Sequence, residues 1–352
     1  MESEIFVNQL ISWYRHQKRD LPWRHSKDPY KIWLSEIILQ QTRVSQGMPY
    51  YLQFVEQYPT VQDLANASEG EVLRLWQGLG YYSRARNLHF CAKTVTEEYQ
   101  GGFPSTFDEL LKLKGIGRYT AAAIASIAFD QPNAVVDGNV YRVLSRVFGI
   151  EDDIADSKSL KIFEEKANGL LTPENPGEFN QAIMDFGAIQ CAPKNPACAI
   201  CPMSSYCYAF NNGKQNVLPI KTKKVKVRNR YFYYFIYQHK DRVLMKERGS
   251  KDIWQGLFDF SLEEYAEPND KEEVLRSVSK GKGFTVIHYS SEVKHILTHQ
   301  RIFTRFIRVE LNDLGKFEAL AADKNLSPFG IEEVKELPKP ILIQNYLKQE
   351  FF

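Results

Sequence analysis

The chain has 352 residues, too many for one ordinary core, so two domains are expected. Hydrophobic residues make up 43% and charged residues 25%, the balance of a soluble globular protein. A formal net charge of +2 gives no nucleic-acid signal by itself, so any basic surface must come from local clustering. The N-terminal MESEIFVNQLISWYRHQKRD puts acids first and has no long apolar core, unlike a signal peptide. No run approaches the roughly 18 apolar residues of a membrane helix. A cytoplasmic, reducing compartment is expected (nucleoid-associated in a bacterium), and there structural disulfides are disfavoured.

Residues 1 to about 210 carry helical patterns. Tyr30–Val44, YKIWLSEIILQQTRV, places Leu34, Ile37 and Ile38 at helical spacing. Glu36 falls away from Leu34 and Ile38 and, taken alone, reads as a solvated glutamate. Glu71–Trp76 repeats the helical spacing, and Gly78 and Gly80 then mark a turn. Leu110–Phe129, LLKLKGIGRYTAAAIASIAF, reads as a helix, a tight Gly115-x-Gly117 turn and an Ala-rich helix. The glycines let backbone N–H groups approach a ligand, and the next helix adds the positive end of its dipole. A phosphate is the natural guest, and DNA phosphate is held this way whatever its sequence. In AVVDGNVYRVLSRVFG (Ala134–Gly149), Asp137 stands before a new helix and, taken alone, is an N-cap. Phe179–Ile189 is the last helical pattern before the cysteines.

Four of the five cysteines, Cys191, Cys198, Cys201 and Cys207, fall within 17 residues spaced C-x6-C-x2-C-x5-C. Structural zinc usually takes two short-spaced pairs, and here there is only one. A single loop wrapped around a [4Fe–4S] cube suits the spacing somewhat better, but spacing leaves zinc open. Pro193, Pro196 and Pro202 stiffen the loop. Cys91 lies in a helical pattern and reads as a small core residue.

Lys214 to Arg230 holds seven Lys/Arg and no acid and reads as a basic linker, with its core at 214–228. The aromatic and β-branched run after it, turning near His239–Asp241, predicts a hairpin. Phe284–His288 and Arg305–Leu311 also predict strands. Residues 229–352 are thus a mixed α+β domain.

Taken in order, several long motifs match one family. They are LPWR (Leu21–Arg24), WLSEIILQQTRV (Trp33–Val44), the first half of GLGYYSRARNLH (Gly78–His89), LKGIGRYTA (Leu113–Ala121), VDGNVYRVLSR (Val136–Arg146) and the cysteine spacing. The chain resembles the helix–hairpin–helix DNA glycosylases with a C-terminal iron–sulfur loop, the endonuclease III superfamily, and within it the MutY-type adenine glycosylases. The fold implied is multidomain. An all-α glycosylase domain (1–213, with a [4Fe–4S] loop at 191–207) precedes an α+β Nudix-like lesion-recognition domain (229–352).

The resemblance implies a base-excision repair enzyme that hydrolyses the N-glycosidic bond of adenine mispaired with 8-oxoguanine or guanine. Its partner is double-stranded DNA, with no membrane, and it acts as a monomer. Two alternatives are a superfamily glycosylase acting on thymine or uracil mismatches and a non-catalytic DNA-binding protein. Glu36 is implied as general acid and Asp137 as the carboxylate that stabilises or traps the cationic sugar, with Tyr119 and Asn139 orienting them. Bifunctional relatives carry a lysine at or near the position of Tyr119. A lysine amine is needed for a Schiff base, so base removal without strand cleavage is expected. Arg19, Trp23 and Arg24 match the adenine pocket. Gln41 and Tyr81 match residues that fill the gap left by the flipped base, and Leu39 shares the wedge role. Gly115 and Gly117 hold the backbone phosphate, and Cys191, Cys198, Cys201 and Cys207 ligate a [4Fe–4S] cluster that shapes a phosphate-facing loop holding Lys194.

In the second domain WQGLFDF (Trp254–Phe260) fits the Nudix W-x-G-L-x-x-F strand, but residues 261–280 lack the carboxylate spacing of a pyrophosphohydrolase. HILTHQRIF (His295–Phe303) matches the family's lesion-reading loop. Thr298 keeps its hydroxyl and His299 its imidazole, whereas Leu297 replaces an aromatic.

Overall fold

The computed structural model describes residues 2–222, 226–250, 252–279 and 283–352. The chain packs as two compact units, Met1–Asn66 with Asn87–Lys223 and Ala67–Arg86 with Lys224–Phe352. Among the described residues, no helix is long and apolar enough to cross a membrane.

The first unit is built of helices. Helix Pro29–Leu39 starts where Asp28 accepts a hydrogen bond from the Tyr30 N–H at 2.9 Å, and Pro29 takes a first-turn position that needs no donor. Tyr30, Ile32, Trp33, Leu34, Ile37 and Ile38 are all buried, so the helix is apolar almost all round and must lie inside. Helix Gly138–Phe148 buries Val140, Val143, Leu144 and Val147 on one stripe and stops at Gly149, whose φ of 71° suits a left-handed C-cap. Those side chains pack with Phe6, Leu10, Phe163, Phe179, Ile183 and Phe186 into one core. Helix Pro176–Ile189 therefore lies directly against Gly138–Phe148.

Gly187 marks how closely these two helices approach. A Cβ there would lie 2.6 Å from the Asn139 Cβ and 2.9 Å from its carbonyl oxygen. Backbone has to give way before a methyl fits.

The second unit holds a mixed sheet of β1 (Arg228–His239), β2 (Arg242–Glu247), β3 (Phe258–Asp259), β4 (Ser261–Tyr265), β5 (Phe284–Tyr289), β6 (Val293–Ile296), β7 (Gln300–Leu311) and β8 (Ser327–Gly330). The main path is β3-β2-β1-β7-β5, with β4 on β1, β6 on β7 and β8 on β2. Among the described residues only β1 and β7 run parallel, from Arg228 opposite Gln300 to Gln238 opposite Glu310. The expected hairpin is β1–β2, and its turn residue Lys240 has a φ of 53°. Both faces of β1 are covered, which accounts for its unbroken aromatic run. Tyr233, Phe235 and Tyr237 join Leu244, Ile307 and Phe317 on one face. On the other, Phe306 stacks between Tyr234 and Tyr346 at 5.6 and 4.0 Å.

Two features depart from the sequence expectation. Ala67–Arg86, expected in the helical domain, packs with the sheet unit: the Lys339 N–H donates to Gln77 Oε1 and Arg86 Nη1 to the Gln255 carbonyl, at 3.0 and 2.8 Å. Caps and apolar spacing define the helix Glu69–Leu75 but not its neighbour. The basic segment is also less free than a solvated connector. Leu218 is buried, Ile220 O accepts from the Ile154 N–H, Lys214 pairs with Glu151, and Arg230 pairs with Asp252 and Glu264. Part of the expected linker, 223–225, lies outside the described residues.

Gly187→Ala is expected to cost about 1–3 kcal/mol through overpacking and to lower the thermal unfolding midpoint of the first unit, as calorimetry of the full chain measures.

Candidate active site

Glu36 is the one carboxyl on helix Pro29–Leu39, a mostly buried helix, and is itself only partly exposed. The Tyr119 hydroxyl, from helix Arg118–Phe129, donates to Glu36 Oε2 at 2.6 Å and also lies 3.3 Å from Met184 Sδ. Asp137 caps helix Gly138–Phe148: Oδ1 accepts from the Asn139 and Val140 N–H groups at 2.9 and 2.8 Å, and Oδ2 from Asn139 Nδ2 at 2.8 Å. The Asp137 charge acts on the Glu36 carboxyl, so the two carboxyls lie within electrostatic reach of one another. The solvated reading of Glu36 is overturned, because its helix faces protein nearly all round. The N-cap reading of Asp137 holds.

Burial pushes the Glu36 carboxyl up to about 7. The Tyr119 hydrogen bond opposes this, the Asp137 charge adds to it, and Arg24 opposes it. Burial also raises Asp137, against the hydrogen bonds of Val140 and Asn139. A carboxyl that burial holds protonated near neutrality thus stands with one whose oxygens accept three N–H hydrogen bonds.

Arg24 and Arg19 converge on Asp185, which has no solvent exposure. Trp23 is buried edge-on to Tyr51, with ring centroids 5.0 Å apart, so it packs in the core beside these arginines. At the end of helix Pro29–Leu39, Leu39 is half-buried, while Gln41 is exposed with a φ of 54°. That left-handed conformation is uncommon for a side-chain-bearing residue and clusters at functional turns. In the hairpin, Gly115 has a φ of 87°, and a Cβ there would lie 2.8 Å from the Asn87 Cβ. Gly117 is the N-cap of helix Arg118–Phe129, exposed, with open space where a side chain would stand.

In the second unit, Thr298 and His299 occupy the exposed β6–β7 turn, closed by the Leu297 N–H donating to Gln300 O at 2.8 Å. The Thr298 hydroxyl touches that of Tyr81, an exposed residue with a φ of 49°. Tyr81, Tyr82, Arg86, Trp254, Leu297 and Thr298 line one open cleft of about 540 Å³.

The four clustered cysteines are free and line one pocket walled by Val147, Phe186, Ala209 and Phe210. Their sulfurs suit a soft metal or a cluster. Among the described residues, no three His, Cys, Asp or Glu side chains form a ready single-ion site. Cys91 is buried, as expected.

The sequence did not single out two arginines of helix Gly138–Phe148. Arg142 donates to the carbonyls of Cys191 and Gly187 at 2.8 and 2.6 Å and to Asn139 Oδ1 at 2.8 Å. It thereby ties the cysteine loop to the residue that holds Asp137. Arg146, also buried, donates to the carbonyls of Ala192, Pro193 and Leu218. Their one signal was charge on the buried side of an amphipathic helix.

The raised Glu36 carboxyl has a stability consequence. Its contribution is fully present below the ordinary 4.5 and is lost as pH rises through about 7. Glu36→Gln is therefore expected to unfold at a higher temperature than the parent at pH 8, with the gap closing below pH 4.5. A gap unchanged with pH would remove the buried proton from the account.

Residues 34–168 match the model of the HhH-GPD superfamily base excision DNA repair proteins, and residues 232–349 match that of the NUDIX domain. The adenine DNA glycosylase of Buchnera aphidicola subsp. Baizongia pistaciae is 35% identical over 321 residues, covering 90% of this chain and 89% of that protein. The mouse adenine DNA glycosylase is 46% identical over 226 residues, 61% of this chain and 44% of its own length. A solved thermostable thymine-DNA glycosylase superposes with a TM-score of 0.55 and 32% identity, covering 60% of this chain and 97% of its own. With its two domain models and its likeness to the Buchnera protein over nine-tenths of its length, the chain belongs to the adenine DNA glycosylase family.

Proposed function

We propose that the protein is a monofunctional DNA glycosylase that removes adenine mispaired with 8-oxoguanine, or with guanine, in base-excision repair. The observation that carries this reading is the pair Glu36 and Asp137, with the Tyr119 hydroxyl 2.6 Å from Glu36 where a lyase would need a lysine. Glu36 delivers its proton to N7 of the extruded adenine, which makes the base a competent leaving group. The C1′–N9 bond breaks, and Asp137 stabilises or traps the cationic sugar. Water adds at C1′ and returns a proton to Glu36. Tyr119 and Asn139 hold the two carboxyls in place, and a tyrosine hydroxyl offers no amine for a Schiff base, so the strand stays intact.

DNA is held by the Gly115–Gly117 turn, where an open N-cap glycine exposes backbone donors to a phosphate. Gln41, Leu39 and Tyr81 take the space of the flipped base, and Arg19, Trp23 and Arg24 border the adenine pocket. Thr298 and His299, on an exposed turn that borders the Tyr81 cleft, read the opposite base. Cys191, Cys198, Cys201 and Cys207 would hold a [4Fe–4S] cluster. Four free thiols around one apolar pocket fit it, and bound there it would fix the loop that carries Lys194. The reading of thymine as the target is weaker, because the thymine enzyme matches 60% of the chain while the Buchnera relative also spans most of the C-terminal domain.

A duplex with one 8-oxoguanine:adenine pair is expected to yield an abasic site on the adenine strand, with scission only after added alkali. Preferred release of thymine or uracil, or direct scission, would contradict the reading. Glu36→Gln is expected to slow excision by about 10²–10⁴-fold while binding the same duplex. Purified protein is expected to be brown, absorbing near roughly 400 nm; a colourless, active protein with stoichiometric zinc would overturn the cluster.

A further inference from the structure

Asp185, on helix Pro176–Ile189, has no solvent exposure and no role in the chemistry above. An ionised carboxylate so placed must be fully paired. It is met by five donors: Arg24 Nη1 at 2.6 Å and Nη2 at 2.8 Å, Arg19 Nε at 2.9 Å and Nη2 at 2.5 Å, and the Arg19 backbone N–H at 3.2 Å. Arg24 is gripped by both oxygens in the two-pronged geometry that fixes a guanidinium in orientation as well as distance. Arg24 also lies close enough for its charge to act on Glu36.

An arginine beside a carboxyl that must keep its proton is a liability, because its charge favours the ionised form. Among the described residues, the groups that act on Glu36 are Tyr119, by a hydrogen bond, and the charges of Asp137 and of Arg24 from the turn Pro22–Arg24. Those facing Asp185 are Arg19, Arg24 and the Tyr14 phenol. Asp185 is therefore the anion that offsets Arg24.

Resting on the glycosylase reading, we propose that Asp185 is a positioning residue for Glu36: it clasps the Arg24 guanidinium and offsets its charge, so that the Glu36 carboxyl keeps its proton. Arg24 can then border the base without ionising the acid beside it. Arg19 shares the same carboxylate and so limits how much of that negative charge reaches Arg24.

The test is a carbon-13 NMR titration of the glutamate carboxyls in the full-length protein, with the Glu36 resonance identified by its loss in Glu36→Gln. In Asp185→Asn the Glu36 midpoint is expected to fall by about one pH unit, a tenfold loss of proton affinity. The alkaline limit of single-turnover excision should move down with it. A folded Asp185→Asn whose midpoint is unchanged or higher, or whose excision is slowed equally at every pH, would make Asp185 a structural anchor only. If Asp185→Asn does not fold, Arg19→Gln decides. Removing the competing arginine is expected to raise the midpoint, and no change would overturn the proposal. The titration needs no substrate, so it stands apart from the glycosylase reading, which fails separately if the parent protein releases no adenine.

Discussion

The proposed chemistry depends on one placement: a carboxyl on a helix that is apolar almost all round. Helix Pro29–Leu39 buries Trp33, Leu34, Ile37 and Ile38 on several sides, so Glu36 is held largely among protein groups and keeps only part of its surface exposed. Desolvation favours the protonated form, and the neighbouring Asp137 adds to that preference. The Tyr119 hydrogen bond pulls the other way but fixes the carboxyl in direction. A carboxyl that stays protonated near neutral pH thus follows from packing, and the core that stabilises the first unit also sets the proton affinity on which the proposed acid role rests.

The opposite carboxyl is prepared by different means. Asp137 gains rigidity from a helix N-terminus and from Asn139, and Asn139 is in turn held by Arg142. Arg142 reaches on to the carbonyls of Gly187 and Cys191, so the cysteine loop and the active site share one side chain. Gly187 permits this by letting two helices touch at Asn139. The loop is thereby tied to Asn139 and Asp137 through hydrogen bonds.

Much of this was legible in the sequence, for particular reasons. Apolar spacing gave the helices around Glu71–Trp76, Ala121–Phe129 and Phe179–Ile189, and the aromatic run gave β1. Gly115-x-Gly117 announced a turn because its first glycine needs a positive φ. Local reading missed the surroundings of Glu36, because they come from helices distant in the chain, such as the one that carries Tyr119. Asp185 was hidden for the same reason, since it meets Arg24 across 161 positions. The packing of Ala67–Arg86 with the sheet unit was equally invisible, because helix caps record where a helix begins and not what it lies against. Trp23, matched to the base pocket by its motif, is packed against Tyr51 as a core residue.

The most direct test of the central claim is the pH dependence of single-turnover adenine excision from an 8-oxoguanine:adenine duplex. If the buried Glu36 proton drives base departure, the rate constant is level below about 7 and then falls about tenfold per pH unit above it. A rate constant that stays flat from pH 6 to 9 would contradict the account.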